Sequence, residues 1–243
     1  MVSLDALQGR LLAQPLGCVT LLSGAHGSGK TTQLTQLYHA LATANESLYW
    51  LSLTPEDNQP DVLRSHLIQA FALSSVASDE GLPDLPSQST MLIDGMEFLH
   101  NPMSRALLEW CMLSLPASSR IYASVTRVRG AALHNGRLRG VVEVIEPTAL
   151  RMSDEQAQQL LPDYASHEVK YLNSLVDGWA AGLRFLQRNS ASCQQLLSGR
   201  SAGVVLPLET SEYLGVQFAE GLTEQSLSAL MQLSVFGRFT PNL

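Results

Sequence analysis

Gly24-Ala25-His26-Gly27-Ser28-Gly29-Lys30-Thr31 fits the pattern G-x-x-x-x-G-K-[ST] at every constrained position, and its flanks decide how the chain folds. A short apolar run from Gly17 to Ser23 comes before it and reads as a buried strand. Thr31 to Ala44 comes after it, with Leu34, Leu37 and Leu41 spaced along one helix face. Strand, glycine-rich turn and helix is the context in which this motif holds phosphate. Glycines let backbone N–H groups curl around an anion, and the helix N-terminus adds partial positive charge. The candidate phosphate-binding residues are therefore Gly24, Ala25, His26, Gly27, Ser28, Gly29, Lys30, Thr31 and Thr32. Lys30 has the reach for β- and γ-phosphates, and Thr31 offers a hydroxyl to Mg²⁺. The expected ligands are ATP or ADP with Mg²⁺, and His26 is expected at the solvent edge of the loop.

Outward from the loop, strands and helices alternate. Strands are expected at Ser47 to Leu53, Met91 to Asp94, Arg120 to Thr126 and Val141 to Ile145, with helices at Asp61 to Phe71 and Pro102 to Ser114. A short amphipathic helix is expected over residues 3–13, and the Ser-, Pro- and Asp-rich residues 74–90 read as a surface loop. This alternation predicts an α/β fold, a five-stranded parallel sheet of the P-loop NTPase type with helices on both faces. In the order expected, a strand lies between the Walker A strand and the Walker B strand. After Pro147 the pattern turns helical. Ser153 and Gln156 fit a capping box, and helices are expected near 153–161, 166–176, 178–189, 209–219 and 223–234. The expected organisation is an α/β nucleotide-binding domain over 1–148, a helical lid over 149–207, and the start of a truncated winged-helix module over 208–243.

Met91-Leu92-Ile93-Asp94 is a short apolar strand ending in an acid, which places Asp94 beside the phosphate loop as a second metal residue after Thr31. Many P-loop ATPases carry another acid next, which orients the attacking water; Gly95 occupies that place here. Glu97 is the nearest carboxylate, so either it substitutes or hydrolysis is slow. If the strand ending Ser124-Val125-Thr126-Arg127 lies between those of Lys30 and Asp94, Thr126 and Arg127 face the γ-phosphate and sense it. The alternative is a surface arginine in an Arg-rich loop with Arg129, Arg137 and Arg139. Lys30, Asp94, Glu97 and Arg127 thus form the candidate catalytic set.

Composition bounds the function. The chain has 243 residues, 45% hydrophobic and 15% charged, against roughly 25% charged in a typical soluble protein. It holds 43 leucines and only two lysines, Lys30 and Lys170, so one of two lysines falls on the motif. A net charge of −7 argues against nucleic-acid contact by this portion, because neutralising phosphates needs a basic surface. No apolar run approaches the roughly 18 residues of a membrane span. Cys18, Cys111 and Cys193 have no metal or disulfide spacing and read as reduced core thiols, and the start of the chain has no signal-like segment. The expected location is the cytoplasm.

With these residues placed, the chain resembles the ATP-binding domain of large LuxR-family regulators of the maltose-regulon-activator type, within the signal-transducing STAND ATPases. Trp50-Leu51-Ser52-Leu53 with Asp57-Asn58 is similar to the family's W-x-S-L-x-x-x-D-N segment, and Met91–Asp94 to its magnesium strand. Thr126-Arg127 is similar to its [ST]-R strand end, and Arg137-Leu138-Arg139, Glu143 and Leu150–Ala157 to the stretch leading into the lid. Asp177-Gly178-Trp179 with Leu183 is similar to its G-W-x-x-x-L helix, and residues 218–243 to the opening of its winged-helix module. The resemblance implies a signal-responsive transcriptional switch in which ADP holds a closed monomer and ATP with an inducer favours a self-associating form. It implies inducer-binding helical repeats and a DNA-binding helix-turn-helix beyond residue 243. The family commonly has Asp-Asp where this chain has Asp94-Gly95. Two other readings stand beside it. One is a nucleotide kinase of the thymidylate-kinase type, which Gly29-Lys30-Thr31-Thr32-Gln33-Leu34 also resembles. The other is a pseudo-ATPase that binds nucleotide as a structural element.

Overall fold

The structure, a computed structural model, describes residues 6–44, 46–71 and 85–198, with residues 225, 226 and 228. The winged-helix reading over 208–243, the helix read at 209–219 and most of that at 223–234 lie outside the described residues. So do residues 3–5 of the first helix and most of the loop read at 74–90. The chain divides into two compact units. One comprises the residues up to Met152 together with Trp179–Ala181; the other comprises Ser153–Gly178 and the described residues from Gly182 onward.

The first unit is an α/β sandwich. Its elements run α1 (Ala6–Leu12), β1 (Val19–Ser23), α2 (Lys30–Thr43), β2 (Ser47–Ser52), α3 (Pro60–Ala70), β3 (Ser89–Asp94), α4 (Pro102–Leu113), β4 (Arg120–Val125), α5 (Ala131–Leu138) and β5 (Val142–Ile145). The five strands are parallel in the order β2-β3-β4-β1-β5. β4 therefore lies between β1, which leads into the glycine-rich loop, and β3, which ends in Asp94, which is the order expected for the P-loop NTPase type. The Arg-rich stretch over residues 127–139 is only partly a loop: Ala131–Leu138 form α5, the crossover that carries the chain from β4 to the far edge of the sheet. Its eight residues hold only Leu133 and Gly136 as buried positions, too weak a stripe to read as a helix in advance.

Side chains alternate across the strands, so each face has its own core. Leu22, Leu92, Tyr122 and Ile145 point to the face covered by α1 and α2, where they meet Leu11, Leu34, Leu37 and Leu41. Leu21, Ile93, Ile121 and Val144 point to the face covered by α3, α4 and α5, where they meet Leu63, Leu67, Leu108, Met112 and Leu133. Each fully buried leucine contributes about 1.5–3 kcal/mol relative to exposure, so the leucine-rich composition is mostly the two-sided core. At the edge of the sheet away from the loop, buried Arg120 pairs with Glu46 at 2.8 Å and donates to Thr90 Oγ1 and Gln14 O, which anchors β4. Cys18 and Cys111 are free, buried thiols in this unit, and burial pushes the Cys111 pKa up to about 12.

The second unit is helical: α6 (Asp154–Leu160), α7 (Ser166–Leu175), most of α8 (Ala180–Arg188) and α9 (Ser190–Leu197). The Ser153 hydroxyl accepts from Gln156 N and the Gln156 side chain accepts from Ser153 N, which is the capping box expected there. α7 is tied back by Asn173 Nδ2 donating to Asp154 Oδ1 at 2.8 Å. The helix read at 178–189 starts later, at Ala180, because Asp177 and Gly178 both have left-handed backbone (φ +52° and +71°). α9 follows at once and has no counterpart in the sequence reading. Among the described residues, no helix is long and apolar enough to cross a membrane.

Candidate nucleotide-binding site

The loop between β1 and α2 wraps the start of the helix. Gly27 and Gly29 have φ of +72° and +90°, which a side chain would strain. Gly29 is the N-cap of α2 and offers no side chain, so the first-turn amides of a 14-residue helix are left without a capping group. Such orphan donors beside a glycine turn are what an anion satisfies. The Ser28 hydroxyl is buried and has no hydrogen-bond partner among the described residues.

Lys30 is 6% exposed, and its ammonium donates to Gly24 O at 2.8 Å and Ala25 O at 3.1 Å. Two of its three donors are taken by the loop, which arches the side chain back over the turn and leaves one for a ligand. Burial pushes its pKa down; the nearby Glu97 and Asp94 carboxylates oppose that shift.

Thr31 and Asp94 meet. The Thr31 hydroxyl lies 2.9 Å from Asp94 Oδ2 and 3.1 Å from Oδ1. A hydroxyl and a carboxylate side by side next to a phosphate loop are hard oxygen donors of the kind Mg²⁺ takes while keeping several waters. Together with the unpartnered Ser28 hydroxyl and the uncapped helix start, this donor set fits a magnesium nucleotide. Asp94 also accepts from Ser124 Oγ on β4 at 2.5 Å, and Gly95 N donates to the same hydroxyl at 2.9 Å.

Glu97 lies in the short 3-10 turn Met96–Phe98 that follows β3. Its Oε1 stands 3.9 Å from Lys30 Nζ and 3.9 Å from His26 Nδ1, and its Oε2 is buried with no partner among the described residues. Of the candidate catalytic set, Lys30, Asp94 and Glu97 converge. Arg127 does not join them: it is exposed, two residues beyond the end of β4, and has no hydrogen bond or ion pair among the described residues. Arg137 is spent on Glu146 at 2.9 Å. Thr32 is exposed on the first turn of α2.

Two segments that the motif resemblance includes have contacts that it does not specify. Asn58 is a bridge. Its amide donates to Phe98 O at 2.7 Å and Pro55 O at 3.1 Å, while its carbonyl accepts from His100 N and Asn101 N at 2.6 and 2.9 Å. Neighbouring Asp57, 1% exposed, accepts from Thr54 N and faces His66 Nδ1 at 3.0 Å. The Asp57-Asn58 pair thus fastens the turn after β2 to the segment after β3 that carries Glu97. The second segment contains Trp179, whose indole N–H donates to His26 O at 3.0 Å, while Ala181 N donates to Gly27 O at 3.0 Å. A Cβ on Gly27 would stand 2.6 Å from the Ala181 Cβ. The outer carbonyls of His26 and Gly27 are therefore held by 179–181, while within the loop Ser28 N donates to Ala25 O at 3.2 Å.

No protein-family profile matches the chain. The serine/threonine-protein kinase PknK of Mycobacterium tuberculosis is 27% identical over 215 residues, covering 74% of this chain and 19% of that protein. The HTH-type transcriptional regulator MalT of Serratia proteamaculans is 23% identical over an alignment covering 95% of this chain and 28% of that protein. The chain thus spans about a fifth to a quarter of the length of these curated relatives. Among solved structures, a point variant of RuvB from Thermotoga maritima aligns with a TM-score of 0.48 at 17% identity over 96% of this chain and 73% of that one. AMPPCP-bound DnaA from Aquifex aeolicus aligns with a TM-score of 0.47 at 15% identity over 79% and 62%. On its own sheet order and loop geometry, the chain has the α/β fold of a nucleotide-binding P-loop ATPase.

Proposed function

We propose that this chain is the ATP-binding switch portion of a LuxR-type, signal-responsive transcriptional regulator. It binds ATP or ADP with Mg²⁺, hydrolyses ATP slowly, and self-associates in the ATP state. The observation that carries the nucleotide reading is the Thr31–Asp94 contact at 2.9 Å beside Lys30. Lys30 and the loop amides hold the phosphates, and Thr31 and Asp94 hold the metal, which when bound neutralises phosphate charge. The regulatory reading rests on the motif resemblance and on the MalT similarity, which runs along 95% of the chain at 23% identity. Slow turnover follows from Gly95 standing where a second acid is common. With Asp94 given to the metal, Glu97 is the carboxylate near enough to Lys30 to take over water positioning.

In this reading Arg127 senses the γ-phosphate only once a nucleotide draws it in, since it is exposed and unpaired among the described residues. Residues 149–207 act as the lid and 208–243 open the next module. Inducer and DNA are engaged by parts of the regulator beyond residue 243, as suits the net charge of −7 here. Sedimentation of the full chain with ADP and with ATP, each with Mg²⁺, tests the switch. A larger species with ATP alone is expected; one mass in both states contradicts it. Robust phosphoryl transfer to any nucleoside monophosphate would overturn it in favour of a kinase.

A further inference from the structure

We infer that Ser124 is a positioning residue for the magnesium carboxylate: it fixes Asp94 so that the site gains its affinity for nucleotide through the metal. This rests on the nucleotide–magnesium reading above and adds a residue to it.

Ser124 sits on β4, one strand over from Asp94, and is fully buried. The register pairs Ile93 with Ala123, so Ser124 lies opposite Asp94. Its single proton goes to Asp94 Oδ1 at 2.5 Å, in the short range of a hydroxyl donating to a carboxylate. Its oxygen accepts from Gly95 N at 2.9 Å. Gly95 has left-handed backbone (φ +88°), where the chain turns off β3. One hydroxyl therefore holds both the carboxylate and the turn directly behind it.

Thr31 also contacts Asp94, but the two contacts differ in kind. Thr31 is exposed at the mouth of the site, and its oxygen is the one expected on the metal. A Thr31 hydroxyl oriented toward a cation no longer restrains Asp94 in the same way. Ser124 has no alternative orientation, because both sides of its hydroxyl are engaged and no solvent reaches it. It leaves Oδ2 as the oxygen available at the mouth of the site. Partners of metal-binding carboxylates of this kind commonly govern metal affinity by 10–100-fold. β4 ends at Val125, and the chain leaves it through Thr126 and Arg127, the candidate sensor position.

The test is calorimetric binding of ADP to the full chain with MgCl₂ and with EDTA, for wild type, Ser124→Ala and Ser124→Thr. The expected result is that Ser124→Ala loses about tenfold of the Mg²⁺-dependent gain in ADP affinity while its affinity in EDTA is unchanged. Ser124→Thr, which keeps the hydroxyl, retains most of the gain. Equal losses with and without Mg²⁺ would reduce Ser124 to a packing residue, and an unchanged gain would remove it from the site; either overturns the inference. Thermal melting without ligand checks folding, and Ser124→Cys, similar in size and a weak donor, replaces the alanine variant if that one unfolds. Wild-type chain that binds no ADP in either condition refutes the nucleotide reading itself, a result distinct from the others.

Discussion

Glu97 Oε1 stands 3.9 Å from Lys30 Nζ, so a carboxylate shares the phosphate loop with the one lysine that serves it. Two consequences oppose each other. A carboxylate there can order a water for attack, and it also repels an incoming phosphate. Glu97→Gln is therefore expected to remove residual ATP hydrolysis while raising ATP affinity a few-fold. Parallel turnover and equilibrium binding measurements check this. Unchanged hydrolysis would exclude Glu97 as the water-positioning group, and unchanged affinity would mean that its charge is not felt by the phosphates.

The Asn58 side chain makes four hydrogen bonds to main-chain atoms of the turn after β2 and of the segment after β3. Truncation strands several of these groups, at about 1–3 kcal/mol for each that stays dry. Because part of the site is wetted, Asn58→Ala is expected to cost about 2 kcal/mol in urea unfolding. It should also slow hydrolysis, by loosening the segment that carries Glu97. A loss below about 0.5 kcal/mol would mean that water replaces the amide without penalty.

Glu109 on α4 is 6% exposed, and its Oε1 has no hydrogen-bond partner among the described residues. Burial pushes its pKa up from the ordinary 4.5, against the nearby charges of Arg105 and His134. The fold thus favours the protonated form. The stability this contributes is present below about pH 4.5 and is lost as pH rises through the raised value. Glu109→Gln is expected to melt higher than wild type at about pH 7–8 by the equivalent of about 1 kcal/mol. The advantage should shrink towards about pH 4.5. A gain that is the same at both pH values would assign it to packing instead of ionisation.

Trp179 reports on the loop. Its indole N–H is bonded to His26 O, whereas Trp50 donates to Ser52 Oγ on β2 and Trp110 is half exposed on α4. ADP is expected to change the intrinsic fluorescence, and Trp179→Phe to abolish most of that change. Retention of the full signal in Trp179→Phe would place the reporter elsewhere.

Much of this was legible in the sequence because strong local signals agreed with one another. The loop motif, the leucine stripe of α2 and the acid ending β3 each carry their own pattern, and together they require Thr31 and Asp94 to meet. What was not legible came from contacts that only the sheet creates. Ser124 is an ordinary residue in the sequence and gains its role from standing beside Asp94 on the next strand. Asp57-Asn58 shows in the sequence only as part of a motif resemblance, and Asn58 gains its bridging contacts when the segment after β3 is folded against it. α5 has too few buried positions to show a period. Gly178-Trp179 reads as part of a helix, yet two left-handed residues break the chain there and aim the indole at the loop. A pattern at the exposed end of a strand, such as Thr126-Arg127, fixes a position without fixing what its side chain touches.

The most direct test of the central claim is calorimetric titration of the full chain and of Lys30→Ala with Mg·ADP. A charge-assisted contact to phosphate is worth about 1.5–3 kcal/mol. The account predicts saturable one-site binding by wild type and a loss of roughly tenfold to a hundredfold or more in Lys30→Ala, with the variant still folded. Equal affinity in the two proteins, or no binding by wild type, would contradict it.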